Sequence, residues 1–491
     1  MDIAIASGMT VVDRRATEGV TGPIRRVAAA VASPLRAFLH AESAGGIVLV
    51  VAAVSALVWA NSPAADGYAR FWQQEVSLGG GGARVTHDLR HWVNDGLMVL
   101  FFFVIGLEIK RELVVGELRD RRAATLPALA ALGGAVIPAL MYVAVAGGGE
   151  AGRGWGIPMA TDIAFAVGVL ALLGRRASSG AKLFLLSVAI VDDILAIGVI
   201  AIFYTERLNL WWLAGAVAGL LVAAGMRGLG VSRPWTYVPV GVLVWFATLE
   251  SGVHATLAGV ALGLLTPARP VAGRGVLDDL ERSLHPVSAF LVVPLFALAN
   301  AGIDLRGGAL GDAFGRTVTW AIIAGLVLGK IVGIGGVTYL VRRLDWGALP
   351  AGMHHREVLG AAALGGIGFT VSLFITDLAF TDAGLIGQAK VGILTASVIA
   401  ALTGAVLLFT APAGTGAATL SPRPNGDRTG DGDRTGDGDR TGDGDRPRNG
   451  GRPGDQGRPG DQGRPGDQGR PGDRDWPRNR DRPRNRDRPG N

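Results

Sequence analysis

The chain has 491 residues, of which 49% are hydrophobic, 18% charged and 75 are glycine. It contains no cysteine, which excludes disulfides, thiol catalysis and thiolate metal sites. The formal net charge of +6 says little, because 17 Arg and 14 Asp crowd into the positions beyond 414, and no nucleic-acid partner is expected from it.

Residues 1–42 read as a cytoplasmic arm. The first 36 positions hold five arginines and no apolar core of signal-peptide length, so the first hydrophobic span would serve as the membrane address. From 43 to 411, apolar stretches close to the ~20 residues that cross a hydrocarbon layer recur throughout. That pattern belongs to a polytopic protein whose solvent is the lipid bilayer.

Span 1 covers about Gly46–Ala60. The wetter stretch Arg70–Thr86, with Gly79–Gly82 inside it, reads as a hairpin outside the bilayer or as a flexible loop. Span 2 starts near Asn94-Asp95 and ends in Glu108, Lys110, Arg111 and Glu112. Span 3 is about Ala123–Ala146. Span 4, from Trp155 to Leu173, opens with Gly156, Pro158 and Thr161-Asp162, poor material for a continuous helix. Span 5 carries Asp192-Asp193. Spans 6, 7 and 8 run near 209–226, 235–250 and 253–266, the last opening on His254. Glu281 and His285 precede span 9, which contains Pro286, Pro294 and Asn300. Span 10, about Thr317–Leu340, holds Lys330 at its centre. Span 11 is interrupted by Gly365-Gly366 and Gly368, and span 12 runs to about Thr410. The expected fold is all-α, with about twelve membrane helices.

Beyond 412 the chain repeats Gly-Asp-Arg-Thr-Gly-Asp and Gly-Arg-Pro-Gly-Asp-Gln, with Trp476 as its one aromatic. It cannot bury enough apolar surface to fold, so 412–491 reads as a disordered low-complexity tail. Asp431 and Asp433 imitate the start of a calcium loop, but its twelfth position is Gly442 where a bidentate Glu is needed.

An even number of spans puts both termini on one side. Arg121-Arg122, Arg175-Arg176, Arg227, Arg274 and Arg342-Arg343 fall in loops on the N-terminal side, which marks that face as cytoplasmic. The interrupted spans 4 and 11 are seven apart in the series. Spans 3–5 and 10–12 would then be inverted repeats, with broken helices at matching positions, the arrangement that points to a transporter site.

The ionisable residues at membrane depth are Asp162, Asp192, Asp193 and Lys330, with Glu108 nearer the interface. A charged side chain at the centre of a membrane helix costs at least ~2.5–3.5 kcal/mol, and two adjacent carboxylates also repel, so the pair reads as an ion or proton site. The chain has 43 Arg and four Lys, yet the cation of span 10 is Lys330, whose ammonium can give up a proton where a guanidinium cannot. Broken helices expose partly positive N–H ends and partly negative C=O ends. Asp162 beside one break and Lys330 can neutralise them. Carboxylate oxygens, helped by backbone carbonyls and Thr161, suit Na⁺ or Li⁺ and also bind H⁺. Glu108, Glu112, Glu281 and His285 gather at the cytoplasmic mouth, either as ordinary juxtamembrane charges or as titrating regulators.

These residues resemble those of the NhaA-type sodium/proton antiporters over about 40–410. The resemblance rests on Asn94-Asp95, on Gly106 to Leu113, on Ala160 to Leu173, and on Ala189-Ile-Val-Asp-Asp193. Ser251 to Gly259, Leu284-His-Pro286 and Pro294 to Gly302 add to it. It implies that Asp192 and Asp193 bind the cation and exchange it for protons. Asp162 and Lys330 would balance the dipoles of two crossing broken helices, and the lysine could pair with the first aspartate of the dyad. Glu108, Glu112, Glu281 and His285 would contribute to pH activation, and His254 to pH response. A homodimer formed partly through the hairpin after span 1 is also implied, in an inner membrane. Arg282 stands where some members have a histidine, and Ile194-Leu195 where Leu-Gly is common.

The expected function is therefore electrogenic Na⁺(Li⁺)/H⁺ antiport by alternating access, with no cofactor and no enzymatic step. The alternative of an intramembrane aspartyl protease needs aspartates on two spans, typically within Gly-x-Gly-Asp. The matches, Gly430 to Asp433 and its repeats, all lie in the tail. A cation channel is a second alternative, and two broken helices meeting at one buried lysine make a poor permeation path.

Overall fold

The computed structural model describes residues 44–78, 85–205, 208–231, 233–269, 275–350 and 353–411. The N-terminal arm, the glycine cluster Gly79–Gly82 and the tail lie outside these residues. Helix α1 is Ala44–Ala60, and α2, Ala65–Trp72, folds back from it by 115°. The segment Arg70–Trp72 is thus helical, where the sequence suggested a strand or loop. Tyr68 and Trp72, one turn apart, are buried on one face, and the Tyr68 hydroxyl donates to Leu298 O at 2.9 Å. The hairpin begins at Glu75: β1 (Glu75–Leu78) pairs antiparallel with β2 (Val85–Asp88).

The rest is helical. A π-helical turn, Trp92–Leu97, leads into α3, Met98–Val114. Then come α4, Arg121–Ala146, a 3₁₀ segment at Ala151–Met159, and α5, Ile163–Leu173. Next are α6, Ser179–Phe203, and α7, Leu210–Gly228. The shorter α8, Val238–Glu250, and α9, Thr256–Leu265, precede α10, Val276–Asn300, and α11, Thr317–Arg343. The last helices among the described residues are α12, His355–Leu364, α13, Phe369–Ala379, and α14, Ala383–Phe409. Among the described residues, α4, α6, α7, α10, α11 and α14 are long and apolar enough to cross a membrane. Both predicted breaks are present: the 3₁₀ segment and α5 meet at 42°, α12 and α13 at 44°. This is an all-α membrane protein, with many large apolar side chains on its outer surface, as lipid contact requires.

Two sets of contacts organise the helices. The first joins α3 to α9 and α10, α10 to α1, and α7 to α8. The second joins α4 to the 3₁₀ segment, α6 and α11, and α14 to α11, α12 and α13. Small residues set the distances, because membrane helices associate by close backbone approach. A Cβ on Gly106 of α3 would come 2.7 Å from Val260 O of α9, and one on Gly133 of α4 would meet the Gly333 carbonyl of α11. Neither has room for a side chain.

Candidate ion-binding site

The two broken spans touch at their breaks. After Met159 the chain runs extended through Ala160–Asp162, and the Asp162 N–H donates to Ile367 O at 2.6 Å. Ser372 of α13 donates to Ile157 O at 2.7 Å, so the crossing is tied from both strands. Four helix ends therefore meet inside the protein, two offering N–H groups and two offering carbonyls.

Asp162 serves both N-termini. Its Oδ1 accepts from Phe165 N of α5 at 3.0 Å, and its Oδ2 accepts from Thr370 N and Oγ1 of α13 at 3.0 and 2.7 Å. The carbonyl ends find other partners. The Lys330 ammonium donates to Met159 O, and the Thr161 hydroxyl lies 2.8 Å from Gly365 O.

The same two side chains reach the aspartate pair. Lys330 Nζ donates to Asp192 Oδ2 at 2.6 Å and to Thr161 Oγ1 at 3.2 Å, and Lys330 is fully buried. Thr161 Oγ1 is also 2.7 Å from Asp192 Oδ2, so its single proton can serve either that carboxylate or Gly365 O. Asp192 Oδ1, by contrast, is buried without a hydrogen-bond partner. The neighbouring Asp193 is 4% exposed and lies within electrostatic reach of Asp192, Glu108 and Asp162. A buried carboxylate oxygen without a donor is costly, and such an oxygen is free to accept a cation or a proton.

The other predicted residues separate into three places. Glu281 of α10 pairs with Arg111 of α3, and Glu108 and Glu112 stand within electrostatic reach of one another and of that pair. His285, one turn further along α10, is exposed at the surface. His254 lies near the opposite end of the helices, where its Nε2 is 2.7 Å from the Tyr204 carbonyl after α6. Sequence reading missed three features. π-helical turns at Ala324–Gly329 and Ile331–Gly336 flank Lys330 on both sides. Glu357 is buried, accepting from His354 N at 2.9 Å and Ser178 N at 3.2 Å, and so ties α12 to the start of α6. Lys390 of α14 is buried against Asp377 of α13 at 3.4 Å. The scarcity of lysine that singled out Lys330 would have found Lys390 too.

The family described as Na⁺/H⁺ antiporter 1 matches residues 36–408. The Frankia alni protein named Na(+)/H(+) antiporter NhaA 3 is 47% identical over 410 residues, covering 77% of this chain and 89% of the relative. A Janthinobacterium antiporter NhaA is 44% identical over 415 residues, covering 76% and 92%. An Erythrobacter litoralis antiporter NhaA 1 is 47% identical over 388 residues, covering 79% and 95%. With this match running through every element that builds the crossing, the chain belongs to the NhaA-type Na⁺/H⁺ antiporter family.

Proposed function

We propose that this protein exchanges Na⁺ or Li⁺ for protons at one site made by Asp192 and Asp193, cation and protons competing for it, and that it is a transporter with no enzymatic step. The observation that carries the reading is the unequal state of the carboxylate oxygens: Asp162 has both satisfied, Asp192 has Oδ1 unpartnered, and no side chain donates to Asp193 among the described residues. Asp162 and Lys330 hold the crossing together electrostatically, and Thr161 supplies a further oxygen. Two titrating carboxylates allow more than one proton per cation, hence electrogenic exchange. Adjacent aspartates on one helix, one of them held by an ammonium, do not make the shared-proton dyad of a protease.

Twelve spans, with 3–5 and 10–12 as inverted repeats, give two bundles that rock about the crossing. The protein sits in the inner membrane with both termini cytoplasmic, and dimerises through β1–β2. Glu108, Glu112, Glu281 and His285 set the response to internal pH, with His254 acting at the opposite end.

The test is a sodium titration of purified protein at several pH values, reading heat and released protons. Sodium affinity should weaken as pH falls, by about tenfold per unit for each proton displaced. Asp193→Asn should abolish both proton release and exchange, and Asp192→Asn should impair both. An affinity indifferent to pH, or unchanged proton release in Asp193→Asn, would refute the reading.

A further inference from the structure

A second polar chain, partly buried, lies near the end of the helices that carries His254. Asn300, the last residue of α10, donates from Nδ2 to Asn94 Oδ1 at 2.8 Å. Asn94, in the turn before α3, donates from Nδ2 to Asp377 Oδ2 at 3.2 Å. Asp377 Oδ1 is 3.4 Å from Lys390 Nζ, and the lysine side chain is only 7% exposed. Along the same helices toward the crossing lies an aromatic layer: Phe374 of α13 packs against Phe102 of α3 and Phe296 of α10, with ring centroids 5.3 and 6.3 Å apart.

Both layers bridge the same boundary. Asn94, Phe102, Asn300 and Phe296 belong to the set of helices built on α3 and α10, and Asp377, Phe374 and Lys390 to the set packed on α14. None of these side chains is used by the ion site. An apolar plug excludes hydrated ions, while a short polar link over it can exchange its partners for water when it parts. Helix α13 couples this link to the site. From Asp377 back to Thr370, which donates to Asp162, is seven residues of rigid helix, about 10 Å at 1.5 Å per residue. Whatever moves Asp377 moves the crossing.

We propose that Asn94, Asn300, Asp377 and Lys390 form a gate, closed in this structure over the Phe102–Phe296–Phe374 layer. It must part before an ion arriving from the His254 end reaches Asp192 and Asp193. This rests on the alternating-access reading above, and assigns the contact whose breaking constitutes access from that end.

The chain has no cysteine, so introduced thiols are the only ones present. Asn94→Cys with Asp377→Cys places a pair across the boundary. Phe102→Cys with Phe374→Cys does the same one layer inward, leaving the Asp377–Lys390 pair intact should its loss prevent folding. Asn94→Cys with Asn300→Cys lies within one set of helices. Each variant, in proteoliposomes, is compared before and after a short bifunctional methanethiosulfonate. Bridging either cross-boundary pair should abolish Na⁺/H⁺ exchange and a reductant should restore it. Sodium-triggered proton release in detergent should persist, because the site stays reachable from the other end. Bridging Asn94→Cys to Asn300→Cys should cost nothing further. Exchange that survives the cross-boundary bridge would overturn the gate, as would proton release lost together with exchange. Absence of sodium-triggered proton release before any bridging would instead count against the exchange site.

Discussion

Replacing Lys330 with methionine tests whether one ammonium holds the crossing and the dyad together. The side chain is fully buried and spends its donors on Met159 O, Thr161 Oγ1 and Asp192 Oδ2. Methionine fills most of the volume but supplies no donor. Asp192 then keeps at most the Thr161 hydroxyl, and the carbonyl ending the 3₁₀ segment loses its partner. Removing one member of a buried ion pair costs about 3–5 kcal/mol, a large share of a folded protein's total of ~5–15 kcal/mol. The cost comes from the stranded carboxylate, so it should be partly reversible by a second change. Asp192→Asn with Lys330→Met removes both charges of this pair, and should recover about 2–3 kcal/mol relative to Lys330→Met alone, the coupling expected of contacting groups. Lys330→Arg keeps the charge and should fall between wild type and Lys330→Met. The assay is a detergent melting series on wild type and the four variants, with Asp192→Asn as the closing corner of the cycle. Single-variant losses that simply add in the double variant would show no coupling, and Lys330 would not be the buried counter-charge described.

Two further outcomes follow from individual contacts. Asp162→Asn keeps one acceptor but turns an amide N–H toward a donor at the start of α5 or α13, and should cost about 2–4 kcal/mol from two helix N-termini; a melting point equal to wild type would remove it from the crossing's support. Burial and the stacked His91 ring hold His87 in the hairpin below its ordinary value, so the unfolded strand binds the proton more readily. The stability contributed there is complete above about 6.5 and is lost as pH falls through the lowered value. Backbone exchange protection of β1–β2, corrected for intrinsic rates, should decline on acidification in wild type and not in His87→Gln.

Much of this was legible in the sequence, for identifiable physical reasons. Asp192-Asp193 stood out because charge in an apolar run is expensive, and Pro158 and Gly365-Gly366 because they are poor material for a continuous helix. What sequence could not supply was which oxygen each donor takes. Asp162 and Asp192 look alike in one dimension, yet one has both oxygens capped and the other has Oδ1 bare. The π turns around Lys330 leave no mark in composition, since Ala324–Gly329 reads as ordinary apolar helix. His254 and Glu281 both sit just before a span, and only the direction in which each span runs separates them to opposite ends. Lysine scarcity marks Lys390 as it marks Lys330, but its pairing with Asp377 was not legible, because the partner lies across a helix–helix contact, 13 positions away on another element.

The division of labour among the carboxylates explains how one crossing can be both rigid and exchangeable. A site that binds and releases its cargo needs oxygens whose satisfaction changes, but a broken helix needs end caps whose satisfaction does not. If a single carboxylate did both, each departing ion would leave helix termini uncapped and the crossing would open with every cycle. Here Asp162 gives all its bonds to backbone and hydroxyl donors of α5 and α13, and none to Asp192 or Asp193. Lys330 joins the two systems, because it holds a helix carbonyl and one oxygen of Asp192 at once. Ion occupancy of the dyad, as proposed, would thereby be felt at the end of the 3₁₀ segment through a single ammonium, while the caps at α5 and α13 stay fixed. For the proposed exchange, the fixed caps would let the crossing move as one piece, and the shared ammonium would let the ion decide when it does.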